Sequence, residues 1–134
     1  MSEQRPTVGR FMARKLVRLT ETTEINQAVA VLLKQNVSGA PVVDSAGRLT
    51  GVLSMKDCLK AALHATYHQE WGGTVADYMS SPAESLDIGT DLITAAQHFV
   101  ESSYRRFPVL ENGRLVGQIS RGDVLKALNE LWRP

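Results

Sequence analysis

Two short stretches hold residues able to do chemistry at matched spacing: Gly51-Val-Leu-Ser54-Met-Lys-Asp57 and Gly117-Gln-Ile-Ser120-Arg-Gly-Asp123. In each, an apolar run ends at the serine and a helical pattern begins directly after it. A helix N-terminus presents unpaired amides and a partial positive charge, which suits a phosphate. Ser54 and Ser120 can add a hydroxyl donor. Asp57 and Asp123, in the first helical turn, can accept from both hydroxyls of a ribose. The same residues also have a purely structural use, because a serine and a carboxylate three apart can satisfy the free amides of the helix they begin.

Other chemistries find less support. There is no G-x-S-x-G elbow and no paired acid–base constellation, so no catalytic residues are assigned and the chain reads as a non-enzyme. His64 and His68 share a helix face at i, i+4, but position 65 is Ala rather than the Glu of a zinc-protease helix, and no metal site is assigned. His98 has no evident partner. Cys58 follows Asp57 near a helix start, yet its repeat counterpart is Val124, which points to a small buried apolar position.

Whatever these residues do, a single soluble domain must position them. The chain has 134 residues, with 43% hydrophobic and 22% charged residues, and such a length can bury a core of its own. No apolar run reaches the roughly 18 residues of a membrane span. The N-terminus, Met-Ser-Glu-Gln-Arg-Pro, lacks an apolar signal core, and one cysteine cannot form an internal disulfide, so cytoplasmic residence is expected. A net charge of +1 argues against a dedicated nucleic-acid binder. The charge is uneven, however. Residues 1–67 carry nine Lys/Arg against five Asp/Glu, while residues 68–134 carry six against nine.

The positioning elements come from an internal duplication. A shift of 67 places Val8, Met12, Leu19, Thr23 and Ala28 on Val75, Met79, Leu86, Thr90 and Ala95, and Pro41-Val42 on Pro108-Val109. After a one-residue deletion the shift becomes 66, and Gly51, Ser54 and Asp57 fall on Gly117, Ser120 and Asp123. Each repeat predicts a short helix near Phe11-Met12 or Tyr78-Met79, then an extended stretch around Leu16–Leu19 or Ala83–Leu86. Thr23 and Thr90 are candidate N-caps. The helices after them carry apolar faces of Ile25, Ala28, Val29, Leu32 and Leu33, and of Leu92, Ala95, Ala96, Phe99 and Val100. Hairpins follow: Ala40–Val43 with Leu49–Leu53, and Phe107–Leu110 with Leu115–Ile119 around Asn112-Gly113, a pair that tolerates positive φ. Final helices run from about Met55 towards His68 and from about Arg121 to Trp132. Gly72-Gly73 marks the joint between repeats.

Val37-Ser-Gly-Ala-Pro-Val-Val43 followed by Gly51-to-Asp57, and Tyr104-Arg-Arg-Phe-Pro-Val-Leu110 followed by Gly117-to-Asp123, resemble the signature of the cystathionine-beta-synthase (CBS) domain. The tandem resembles a CBS pair, or Bateman module, over residues 8 to 132, nearly the whole chain. The resemblance implies an α/β (α+β) fold of two pseudo-twofold-related CBS repeats, each a small sheet packed with helices. It casts residues 1–134 as one CBS-pair domain of the stand-alone kind, with repeats at 8–67 and 75–132.

It also implies a regulatory module that senses adenosine nucleotides (AMP, ADP or ATP) in clefts drawing on both repeats, with no resident cofactor. The backbone before the h-P dipeptide would read the adenine, which points to Val37, Ser38 and Gly39 and to Tyr104, Arg105 and Arg106. The two arginines can bind phosphate bidentately, with Arg121 as helper. Ser80 falls where the family often has a hydroxyl near the ligand, and its counterpart is Ala13. Homodimerisation through helices and modulation of an unidentified protein partner are further implications, with neither nucleic acid nor membrane as partner. The alternatives are a structural dimerisation module with vestigial clefts, S-adenosyl compounds as ligands, and a small nucleotide-handling enzyme.

Overall fold

Helix and strand propensities separate cleanly along this chain, and the structure, a computed structural model, describes residues 5–133. Residues 1–4, the start of the segment read above as lacking a signal core, lie outside the described residues. Repeat one contains α1 (Val8–Phe11), β1 (Leu19–Thr20), α2 (Ile25–Gln35), β2 (Gly39–Val43), β3 (Leu49–Ser54) and α3 (Met55–His68). Repeat two contains α4 (Val75–Tyr78), β4 (Leu86–Asp87), α5 (Leu92–Glu101), β5 (Arg106–Glu111), β6 (Arg114–Ser120) and α6 (Arg121–Leu131). Both sheets have three strands with one topology. β1 is parallel to β2 and β2 antiparallel to β3, and β4, β5 and β6 repeat the pattern.

The second hairpin turns at Asn112 and Gly113, with φ of 52° and 80°, the conformation the Asn-Gly pair predicts. The first hairpin is one residue longer. Asp44 Oδ1 accepts from the amides of Ala46 and Arg48, and Gly47 takes φ of 81°. Helix α2 ends where Asn36 turns left-handed (φ 54°) and its amide reaches the carbonyls of Leu32 and Leu33.

The predicted N-caps move by one residue. Glu24 caps α2 without a side-chain bond, and Asp91 caps α5, its carboxylate accepting from Thr94 N at 2.8 Å. A carboxylate outcompetes the neighbouring Thr90 because it also complements the helix dipole. Thr23 instead shares a hydroxyl contact with Thr20 at 2.7 Å. The apolar faces are narrower than predicted: Ile25, Ala28 and Leu32 are fully buried, whereas Leu33 is 62% and Val100 84% exposed.

The chain divides after Leu16 and again after Ala83 into two compact units. The continuous unit is Val17–Ala83; the split unit joins the segment ending at Leu16 to the segment beginning at Glu84. The leading helix of each repeat therefore belongs to the unit holding the other repeat's sheet. In the continuous unit, Ser80 pairs with Val52, with N–H···O bonds of 2.9 and 3.0 Å, and Val75 joins the core of Ile25, Leu32, Val42 and Leu53. In the split unit, Ala13 pairs with Gln118, and Val8 joins Leu92, Phe99, Val109 and Ile119. Each such fully buried aliphatic side chain contributes about 1.5–3 kcal/mol.

Gly51 and Gly117 are dictated by this pairing. A Cβ on Gly117 would lie 2.5 Å from Met12 Sδ and 2.8 Å from the Ala13 carbonyl, and one on Gly51 2.8 Å from both Met79 Sδ and the Ser80 carbonyl. The glycine that opens each motif is thus a steric requirement of the leading segment. No helix among the described residues is long and apolar enough to cross a membrane.

Candidate functional site

The Ser–Asp pairs begin α3 and α6, and the partners of the first-turn amides set what the pairs have left to offer. Ser54 N donates to Asp57 Oδ2 (2.9 Å), Asp57 N to Ser54 Oγ (3.1 Å), and Met55 N to the Ser38 carbonyl (2.9 Å). The split unit repeats this: Ser120 N to Asp123 Oδ2 (2.9 Å), Asp123 N to Ser120 Oγ (3.1 Å), and Arg121 N to the Arg105 carbonyl (2.9 Å). Three of the four orphan amides of each helix are therefore satisfied within the protein. Only Lys56 N and Gly122 N remain among the described residues.

This corrects the expectation of an amide cradle for phosphate. One free amide beside a carboxylate is a poor anion site, since the negative charge of Asp57 or Asp123 already neutralises the positive helix end there. What remains suits hydroxyls. Each serine accepts through Oγ and keeps its proton to donate, and each aspartate uses Oδ2 while Oδ1 makes no protein hydrogen bond among the described residues. Among the described residues Asp57 is the one buried charged residue, 7% exposed, and no fully buried side-chain oxygen or nitrogen lacks a partner. Its free oxygen is therefore open at the surface of an otherwise buried side chain.

The loops before β2 and β5 sit directly over these helix starts through the Ser38 and Arg105 carbonyl bonds. Val37 packs against the core of the continuous unit, while Ser38 is exposed and Gly39 half-buried. Tyr104 is 43% exposed, its ring centroid 5.3 Å from that of Phe107. Arg105 is exposed and Arg106, paired with Ser120, half-buried.

Arg121, expected to help with phosphate, is largely committed elsewhere. Its Nε donates to the Tyr104 carbonyl (2.8 Å) and its NH2 to the Ser102 carbonyl (3.2 Å), clamping the loop that carries Tyr104–Arg106. Ser80 also moves. It is paired with Val52, on the strand that leads to Ser54 and Asp57 in the continuous unit. The sequence could not show this, because the exchange of leading segments is a non-local pairing.

Two grooves of about 390 and 410 Å³ lie elsewhere, on the helical side of the split unit. The first is lined by Phe99, Val100, Ser102, Arg121, Val124 and Leu125, and the second by Leu92, Ile93, Leu131 and Trp132 among others. Both are mainly apolar and lack the Ser–Asp pairs. His64 Nδ1 and Tyr78 Oη lie 3.1 Å apart in the continuous unit, which gives that histidine a structural contact. Burial, then Asp57, pushes the Cys58 thiol above its ordinary value.

Fold and site together define a duplicated α/β module, each unit carrying one open carboxylate and hydroxyl at the start of its last helix. The chain matches the CBS domain over residues 8–64 and 75–130, and it belongs to that family. It is 30% identical over 125 residues to uncharacterized protein MJ1225 of Methanocaldococcus jannaschii, covering 93% of this chain and 44% of that one. It spans less than two thirds of the length of the first curated relatives it matches, 66% for CBSX1 and 65% for CBSX2 of Arabidopsis thaliana. Among solved structures, CBSX2 in complex with AMP superposes with a TM-score of 0.82 at 31% identity, over 96% of this chain and 99% of that one. The cytosolic domain of the Mg2+ channel MgtE in complex with ATP superposes with a TM-score of 0.78 at 27% identity, over 93% and 49% respectively.

Proposed function

We propose that this chain is a regulatory module that binds adenosine nucleotides and, through them, alters contacts with a second copy of itself or with a protein partner. The observation that carries the reading is the half-used carboxylate of Asp57 and Asp123, each with one oxygen in the fold and one open beside a serine hydroxyl. A ribose diol fits that pair, and the backbone of Val37–Gly39 or Tyr104–Arg106 lies next to it to read a base. The AMP complex of CBSX2 and the ATP complex of the MgtE domain support the nucleotide class. The helical faces supply the assembly surface. Leu33, Leu59, Leu63 and Tyr67 are exposed on α2 and α3, and Val100 and Leu125 on α5 and α6. A homodimer through these faces is the expected state, and a ligand acts only through different affinity for the states of the assembly.

A second reading has its own observation. The capping boxes alone account for the serine and aspartate, as a dimerisation module with vestigial clefts requires. Thermal denaturation with AMP, ADP and ATP separates the two. Nucleotide at a hundredfold over its dissociation constant adds about 2.7 kcal/mol. No stabilisation by any adenosine or S-adenosyl compound leaves the structural reading.

A further inference from the structure

The two units differ in the charge at equivalent positions around their motif strands. In the split unit, five cationic residues surround the end of β6. Arg14 and Lys15 follow Ala13, which pairs with Gln118 on one side. Arg105 and Arg106 come from the other side, where Arg106 pairs with Ser120, and Arg121 begins the next helix. In the repeat register the corresponding residues of the continuous unit are Ser81, Pro82, Ser38, Gly39 and Met55. None of these carries charge, and the cation of the continuous unit's motif is Lys56, where the split unit has Gly122.

The strand register places much of this charge on one face. Along β6, Leu115, Gly117 and Ile119 are buried on the helix side, while Val116, Gln118 and Ser120 are half-buried on the other. Directly paired residues of an antiparallel sheet share a face, so Arg106 stands with Ser120, and Ala13 with Gln118. Lys15 follows Ala13 by two residues, and Arg14 and Arg105 are exposed at the margins. Arg14, Lys15, Arg105 and Arg106 make no ion pair or side-chain hydrogen bond with protein among the described residues. Arg106 is half-buried as a residue, and its guanidinium is left accessible and without an anionic partner among the described residues.

Resting on the nucleotide reading above, we infer that the split unit takes ligands with a di- or triphosphate tail, whereas the continuous unit takes the nucleoside or its monophosphate. The tail lies along the Ser120 face of β6, away from the Asp123 carboxylate. Arg105 and Arg106 hold one end, and Arg14 and Lys15, supplied by the opposite end of the sequence, hold the other. The chain thereby compares ligands of different phosphate number within one molecule. The determinant comes from repeat one in sequence but acts in the unit built on repeat two.

The test is calorimetric titration of the full chain with adenosine, AMP, ATP and inorganic tripolyphosphate. Asp123→Asn should remove the ATP-preferring site and Asp57→Asn the other. The exposed pair R14S/K15S should weaken ATP about tenfold while adenosine stays within about twofold, and tripolyphosphate binding should disappear with it. A converse variant, S38R/S81R, should raise ATP affinity at the continuous unit. Matching circular dichroism melts confirm that the variants fold. ATP binding unchanged in R14S/K15S, or lost with Asp57→Asn instead, overturns the inference. If adenosine and ATP bind alike at both units, the nucleotide reading survives and the charge sorting fails. If tripolyphosphate binds through Arg14 and Lys15 but adenosine binds nowhere, the anion site stands and the nucleotide reading falls.

Discussion

Asp57 serves two masters, and two substitutions separate them. Its Oδ2 accepts from Ser54 N at 2.9 Å in a carboxylate only 7% exposed, while Oδ1 is free for ligand. Asp57→Ala strands the Ser54 amide, which costs about 1–3 kcal/mol, and removes a dipole-complementing charge worth about 0.3–1 kcal/mol. A loss of about 2 kcal/mol follows. With an unfolding entropy of roughly 2.1 cal/mol/K per residue, that lowers the thermal midpoint by about 7 °C. Asp57→Asn keeps a carbonyl oxygen for Ser54 N and should cost about 1 kcal/mol or less. It replaces the anionic acceptor that a ribose would use, so nucleotide affinity should fall in both variants while stability falls mainly in one. Urea denaturation without ligand, followed by titration with AMP, reads both effects. Equal stability of the Asn and Ala variants would show that the Oδ2 bond does not hold the helix start.

Three other perturbations test the fold around the site. Gly117→Ala and Gly51→Ala push a methyl into Met12 or Met79 and the following carbonyl, and each should cost about 1–3 kcal/mol by chemical denaturation; a neutral result would mean the leading segments are not seated there. The backbone amide of Thr94 holds the Asp91 carboxyl below its ordinary value of 3.8, so its contribution is present above that pH and lost as pH falls through the lower folded value. Asp91→Asn should therefore flatten part of the fall in thermal midpoint below pH 3.8 relative to the parent chain. Cys58, buried and with its thiol raised above 9.0, should react with iodoacetamide at neutral pH only as fast as the chain opens, whereas rapid labelling of the folded protein would contradict its burial.

Local signals carried most of the fold into the sequence. Asn112-Gly113 announces its hairpin because its conformational demand is contained in two residues, and each final helix starts where Ser and Asp sit three apart. Thr23 and Thr90 misled because each stands beside a residue that takes the cap, Glu24 or Asp91. Leu33 and Val100 fit the helical period but lie outside the strip the sheet covers, and an apolar stripe does not say whether its edge meets core or solvent. Candidate site residues were legible as types and spacings. Their grouping was not, because Ser80 reaches the motif strand through a bridge to Val52, 28 residues away, and Ala13, just before Arg14 and Lys15, bridges to Gln118 across more than a hundred. The capping bonds that consume the amides were visible as a structural use of the same residues, and that use leaves one oxygen of each carboxylate free.

The exchange of leading segments has a consequence for how this molecule can be taken apart. A cut at Gly72-Gly73 separates the sequence repeats but divides neither unit from the other, because each fragment would carry the helix its counterpart needs and lack its own. Such halves are complementary reagents rather than miniature domains: each leaves the outer edge of β3 or β6 bare at Gly51 or Gly117, and each holds the strand segment that covers the other's edge. The duplication is thus bound by mutual donation of backbone, and neither repeat is a self-sufficient piece that could be lifted into another protein alone.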